Sequence, residues 1–333
     1  MSNLPKVSII IACRSIDRDT SKCIEECLSL DYTDIEVLVL PDRIESFDKE
    51  RVIIIPTGPV KPSIKRNLGM KKADGDIFAF IDSDAYPRKD WLKKAVHYCI
   101  TSRDVGAVTG PNITPPEDNF WQKVGGDILN SYVGLGKFSR RYQITKGDFE
   151  TTDIMSCNFI FPRNTAEKLN GFDETLLTGE DYKLGLEIMA LGKKMIYSPE
   201  VCVYHHRRPV FLPHLKQMWN YGRDKGILMR KFFSIDKLVY FLPTAFIAWI
   251  LGGLPIAFLE NSAIRTLYII SLSGYMTAVL VSSLSIDDKK RSAYVFCGIC
   301  LTHIVYGIAF VKGLIVPKSA GHQSLNKNND HGA

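Results

Sequence analysis

The stretch Phe78–Pro87, FAFIDSDAYP, ends an apolar run in two carboxylates, Asp82 and Asp84, one residue apart. Charges of one sign held that close repel each other unless something offsets them. A hard divalent cation such as Mg²⁺ or Mn²⁺, which prefers carboxylate oxygens, would do so. The competing reading is a turn whose acids cap a helix beginning at Pro87. A second acidic pair, Glu180 and Asp181 after Gly179, opens a stretch of helical spacing. Such a carboxylate can serve as a general base, although acids at a helix N-terminus are also favoured by the dipole alone. His205 and His206 close a short strand-like run, and alternation of faces lets only one of the two turn toward a common site. Cys23 with Cys27, and Cys297 with Cys300, have metal-compatible spacing, but neither has a second pair, so they read as structural thiols.

The elements that must position these groups are visible as periodicity. Val7–Ala12, Ile35–Leu40, Arg51–Ile55, Ile77–Ile81 and Val105–Thr109 are short apolar runs of the kind covered on both faces of a sheet. Between them, Thr20–Leu30, Ser63–Lys72 and Trp91–Ile100 have helical spacing. The alternation predicts an α/β fold, Rossmann-like with a mostly parallel sheet, whose ligands lie beyond the carboxyl ends of the strands. Asp42 follows its strand as Asp82 follows its own, so both belong at one edge. Further strands are expected over Ile154–Phe161, Lys194–Tyr197 and Val201–Tyr204, with helices over Asn164–Leu169 and Glu180–Leu191. The glycine-containing basic stretch Phe120–Glu150 reads as loops over the crevice.

Past Lys237 the pattern changes. Leu238–Leu259, Thr266–Ile286 and Ser292–Val311 contain no Asp, Glu, Lys or Arg, and each is long enough for a helix to cross a bilayer. Of the basic residues behind the net charge of +6, Lys225, Arg230, Lys231 and Lys237 precede the first span, and Lys289, Lys290 and Arg291 lie between the second and third. This placement points to a membrane rather than to nucleic acid. By the positive-inside rule it puts the N-terminal part in the cytoplasm. The expected organisation is a cytoplasmic domain over residues 1–208, an amphipathic interfacial segment over 209–237, a membrane region over 238–317 and a disordered tail over 318–333. Met1–Lys6 is too short and polar for a secretory leader.

In order and spacing, Lys61, Arg66, Asn67, Gly69, Gly75-Asp76, Asp82-Ser83-Asp84, Gly171-Phe172-Asp173 and Gly179-Glu180-Asp181 resemble the family 2 glycosyltransferases of GT-A fold, over roughly Val7 to Gly226. The resemblance implies that Asp82 and Asp84 hold a Mg²⁺ or Mn²⁺ ion on the diphosphate of a nucleotide-sugar. Asp84 would be the direct ligand, Asp82 would lie nearer the ribose or sugar, and His205 would complete the shell. Asp42 would meet the base, although Pro41-Asp42-Arg43 stands where the family often has two acids. Arg66 would approach the donor, and Asp181 would be the catalytic base with Glu180 positioning it. Gln217-x-Trp219-x-Tyr221-Gly222-x-Asp224 resembles the interfacial segment of membrane-attached relatives, with Trp219 at the acceptor side or serving only as an anchor. It lacks the Gln-x-x-Arg-Trp of processive synthases. The implied function is an inverting, metal-dependent transfer from a nucleotide-diphosphate sugar, a UDP-sugar foremost, to a lipid-linked or membrane-associated glycan at the inner membrane. The alternatives are a polyprenyl-phosphate sugar synthase and a catalytically inactive nucleotide-sugar-binding protein.

Overall fold

In the computed structural model, which describes residues 4–176, 179–231, 235–256, 258 and 263–315, the apolar runs of the N-terminal half become strands of one sheet. The expected tail, residues 318–333, lies outside the described residues. The strands are β1 (Val7–Ala12), β2 (Ile35–Leu40), β3 (Val52–Ile54), β4 (Ile77–Asp82), β5 (Ala85–Pro87), β6 (Val105–Thr109), β7 (Asn112–Ile113), β8 (Phe149–Glu150), β9 (Asn158–Pro162), β10 (Lys194–Tyr197) and β11 (Val203–His205). The helices of this half are α1 (Arg18–Leu28), α2 (Pro62–Lys72) and α3 (Trp91–Thr101), followed by α4 (Phe120–Asn130), α5 (Tyr132–Leu135), α6 (Arg163–Ala166) and α7 (Glu180–Ala190).

The eight-stranded sheet runs β3-β2-β1-β4-β9-β6-β10-β8. Its pairs are parallel from β3 through β4 and again between β6 and β10, while β9 runs antiparallel to both its neighbours. Ala12 sits opposite both Leu40 and Asp82, so β1, β2 and β4 end level and deliver Asp42 and the Asp82–Asp84 turn to one edge. Alternation on β4 sends Ile77, Ala79 and Ile81 into one core layer and Phe78 and Phe80 into the other. In that second layer Phe80 stacks 5.5 Å from Phe161 and meets Phe172 edge-on at 5.1 Å. Asp82, two residues beyond Phe80, inherits the same face.

A second sheet of three short strands, ordered β5-β11-β7, carries the rest of the site. Here the reading of Pro87 as a helix start is corrected: Pro87 pairs with Val203 and the helix begins at Trp91. Proline can sit there because β5 is an edge strand. The loop reading of Phe120–Glu150 is also corrected, since its first half forms α4 and α5. Two of the glycines in this stretch, Gly125 and Gly134, are close-packing positions. A Cβ on Gly125 would stand 2.5 Å from the Arg208 carbonyl oxygen, so only glycine fits that close approach.

The chain divides into two compact units, residues 1–119 with 137–207, and residues 120–136 with 208–333. The second unit adds α8 (Leu212–Lys231), α9 (Leu242–Ile256), α10 (Ala263–Leu284) and α11 (Lys289–Ile315) to α4 and α5. Three stretches, Leu238–Ile256, Ala263–Leu284 and Lys289–Ile315, are long and apolar enough to span a bilayer, as the three charge-free runs predict. Ile264, Leu267, Ile270 and Val281 on α10 are exposed, a surface suited to lipid rather than water. Helix α8 lies along α11. Cβ atoms on Gly222 and Gly226 would come within 2.5 and 2.3 Å of the Tyr306 and Phe310 carbonyl oxygens, so the two backbones touch there.

Candidate metal and donor site

Asp82, Asp84 and His205 offer a carboxylate oxygen each and one ring nitrogen, all within 4.8 Å of one another and partly open to solvent. His205 Nε2 lies 3.0 Å from Asp84 Oδ1. The pairing of β11 with β5 brings His205 opposite Ala85, next to Asp84. Strand alternation then separates the two histidines: His206 turns away, its Nδ1 2.5 Å from Asp118 Oδ1. Burial works against charge on His205, but the neighbouring Asp84 carboxylate more than offsets it and holds the imidazole well above its ordinary pKa. Two carboxylates and an imidazole suit Mn²⁺, and suit Mg²⁺ if phosphate and water fill the remaining positions. The donor set therefore fits the cation that the sequence predicts.

Arg66 joins this set to the second acidic pair. Its guanidinium donates through Nη2 to Asp82 Oδ1 at 3.0 Å and through Nη1 to Glu180 Oε1 at 2.9 Å, with the Phe172 ring 5.6 Å from Cζ. It is buried, and the carboxylates of Asp82 and Glu180 outweigh the burial cost to raise its pKa further. Burial and the adjacent Asp181 carboxylate push Glu180 up to about 7, against the pull of Arg66. Asp181, beside it in the first turn of α7, accepts from the backbone N–H groups of Tyr182 at 2.7 Å and Ser156 at 3.3 Å.

Asp42 lines a cleft of about 580 Å³ together with Arg14, Ser15, Arg43, Ile44 and Glu45. Its Oδ1 is paired with the Lys65 ammonium, which also donates to the carbonyls of Cys13 at 2.5 Å and Leu40 at 3.1 Å. Sequence reasoning passes over Lys65, because a lysine beside an arginine on a helix reads as solvated surface; only its burial reveals the role. Asn158 is missed in the same way. Buried on β9, it accepts from Trp91 Nε1 at 2.9 Å and donates to the carbonyls of Val201 at 2.7 Å and Pro111 at 3.3 Å. Those two carbonyls stand just before β11 and β7. Trp219 lies in the other unit, on α8, with Lys312 Nζ 5.3 Å from its ring centre.

Residues 77–310 match the family model described as glycosyl transferase family group 2. A dolichyl N-acetyl-α-D-glucosaminyl phosphate 3-β-D-2,3-diacetamido-2,3-dideoxy-β-D-glucuronosyltransferase of Methanococcus voltae is 25% identical over 330 residues, spanning 93% of this chain and 97% of that one. The UDP-Glc:α-D-GlcNAc-diphosphoundecaprenol β-1,3-glucosyltransferase WfaP of Escherichia coli is 26% identical over 208 residues, 60% of this chain and 76% of its own. Among solved structures, the mannosyltransferase PcManGT from Pyrobaculum calidifontis in complex with GDP-Man and Mn²⁺ superposes with a TM-score of 0.61 at 16% identity, over 94% of this chain and 88% of that one. The sheet and the C-terminal helices thus form the expected GT-A architecture with three candidate membrane helices.

Proposed function

The chain belongs to glycosyl transferase family group 2, and on that premise we propose that it moves a sugar, with inversion, from a nucleotide-diphosphate donor to a lipid-linked saccharide at a membrane. The observation that carries this reading is the convergence of Asp82, Asp84 and His205 within 4.8 Å, with Arg66 linking Asp82 to the Glu180–Asp181 turn. Asp84 and His205 would hold a Mg²⁺ or Mn²⁺ ion, and Asp82 would face the ribose or sugar. When bound, the ion supplies Lewis-acid stabilisation of the leaving diphosphate. Arg66 fixes Asp82 and Glu180 relative to each other, so its role is to position the donor site rather than to meet the donor directly. Asp181 takes the proton of the acceptor hydroxyl as the anomeric carbon loses its diphosphate, and a single displacement inverts that centre. Asp42 and the cleft around Arg14 and Arg43 receive the base.

A lipid-linked saccharide is favoured over a bare polyprenyl phosphate because the Methanococcus and Escherichia relatives are named for such acceptors. A saccharide hydroxyl needs a base, whereas a phosphate is already ionised. The proposed donor is a UDP-sugar, the class in the name of the Escherichia relative; the GDP-Man in the Pyrobaculum complex makes GDP-sugars the competing class. The basic residues flanking the spans support a catalytic face in the cytoplasm. The test is a screen of UDP-, GDP- and dTDP-sugars for transfer to undecaprenyl- and dolichyl-linked saccharides, with and without EDTA. Mn²⁺- or Mg²⁺-dependent transfer that is lost in Asp84→Ala and in Asp181→Asn is expected. Full activity in EDTA, or in Asp181→Asn on a saccharide acceptor, would overturn the mechanism; activity of Asp181→Asn confined to polyprenyl phosphate would favour the synthase alternative.

A further inference from the structure

Residues 120–136 interrupt the catalytic part of the sequence, yet they pack with the C-terminal helices. Val124 and Ile128 of α4 share a buried apolar cluster with Val279 of α10 and with Val295 and Ile299 of α11. The contacts descend α11 in order. Asp127 pairs with Arg291 at 3.1 Å, Trp121 meets Tyr294 at 4.9 Å between ring centres, and a Cβ on Gly298 would strike Ile128. Deepest, His303 Nε2 lies 3.0 Å from the Gly134 carbonyl. His303 is twelve residues beyond Arg291, about 18 Å along a helix, which is roughly half the hydrocarbon thickness of a bilayer.

We infer that the helical hairpin of α4 and α5 is a half-inserted membrane element, dipping from the headgroup layer beside α11 and returning at Gly136, with phospholipid as its partner. The inference rests on the three apolar helices lying in a bilayer. At the deep end of the hairpin the Gly134 carbonyl and Ser131 have protein partners, as polar groups in that setting need. A carbonyl only accepts, so His303 Nε2 carries the hydrogen toward Gly134, and the Tyr275 hydroxyl, 3.0 Å from Nδ1, donates to the other nitrogen. Ser131 and Ser282 pair their hydroxyls at 2.9 Å. Trp121 is 42% exposed and forms, with Phe120, Phe211 and Tyr294, an aromatic cluster at the first turns of the span, where a headgroup belt belongs. Tyr132, between α4 and Gly134, is 70% exposed, so in this arrangement its ring faces the acyl chains.

The experiment is fluorescence of the full chain reconstituted in phosphatidylcholine bilayers with and without bromine on the acyl chains. Loss of Trp249 emission by wild type relative to Trp249→Phe reports first whether the spans themselves are in the bilayer. Tyr132→Trp adds one indole, and Ile44→Trp, at a position 90% exposed in the catalytic unit, is the aqueous control. The added emission of Tyr132→Trp is expected to be blue-shifted and reduced by roughly half or more in brominated lipid, with little change in the control. Emission at the aqueous wavelength, quenched no more than the control while Trp249 is quenched, overturns the inference. Should Tyr132→Trp fail to fold, Trp121→Phe decides: a smaller lipid-dependent signal than wild type supports insertion, and an unchanged one overturns it.

Discussion

Arg66 is the residue on which the candidate site turns, because one guanidinium meets both a metal-set carboxylate and the acid next to the proposed base. Arg66→Ala leaves Asp82 and Glu180 facing each other without a counter-charge, so we expect a loss of about 3–5 kcal/mol, read as a lower melting temperature, together with loss of transfer. Arg66→Lys keeps a charge but cannot span two carboxylates in one plane, and should recover stability better than activity. Glu180 gives a pH signature. Its pKa is about 7 in the folded chain against an ordinary 4.5, so the folded state holds that proton more tightly than the unfolded one. The stability it contributes is complete below about pH 4.5 and is lost as pH rises through 7. Melting curves from pH 5 to 8 should therefore show wild type falling relative to Glu180→Gln by about 1–3 kcal/mol; parallel curves would refute the assignment.

At the scale of elements, the small sheet decides where His205 points, and Asn158 ties that sheet to the large one through the Val201 and Pro111 carbonyls. Asn158→Ala leaves those carbonyls and the Trp91 indole N–H without this partner in the interior, for an expected cost of about 2–4 kcal/mol. Activity should fall with it because β11 loses its register, whereas Mn²⁺ at high concentration should restore part of the loss if the ligands are merely displaced. These elements differ in how readable they are. Strands β1, β2, β4 and β6 are buried on both faces and so appear as unbroken apolar runs, which is why the edge carrying Asp42 and Asp82 is legible. Strands β5 and β7 have three and two residues, too few for any periodicity, and β5 ends in a proline. The Arg66–Glu180 pair joins positions 114 residues apart, and no local pattern encodes that. Helix α4 is hidden by Gly125 and Gly126, which read as breakers although both are buried and Gly125 permits close packing.

For the molecule as a whole, the division into units cuts across the order of the sequence. A chain ending at Arg207 would retain Val124 and Ile128 without the α10 and α11 side chains that bury them. Such a truncation is predicted to aggregate, and replacing residues 120–136 by a short Gly-Ser link should return it to solution as a monomer on size exclusion. Equal solubility of the two truncations would show that the apolar face of α4 finds other cover. The touching backbones of α8 and α11 have a consequence for biosynthesis. Gly222 and Gly226 press on carbonyls at positions 306 and 310, so α8 cannot reach its final neighbours when it first leaves the ribosome. About eighty residues must follow before its partner is made, which at ~5–20 residues per second is a wait of roughly 4–16 s. During that interval a basic, half-apolar helix stands unpaired beside the nascent spans, so a pause or early stop before Lys289 should strand the chain in a form that proteases recognise.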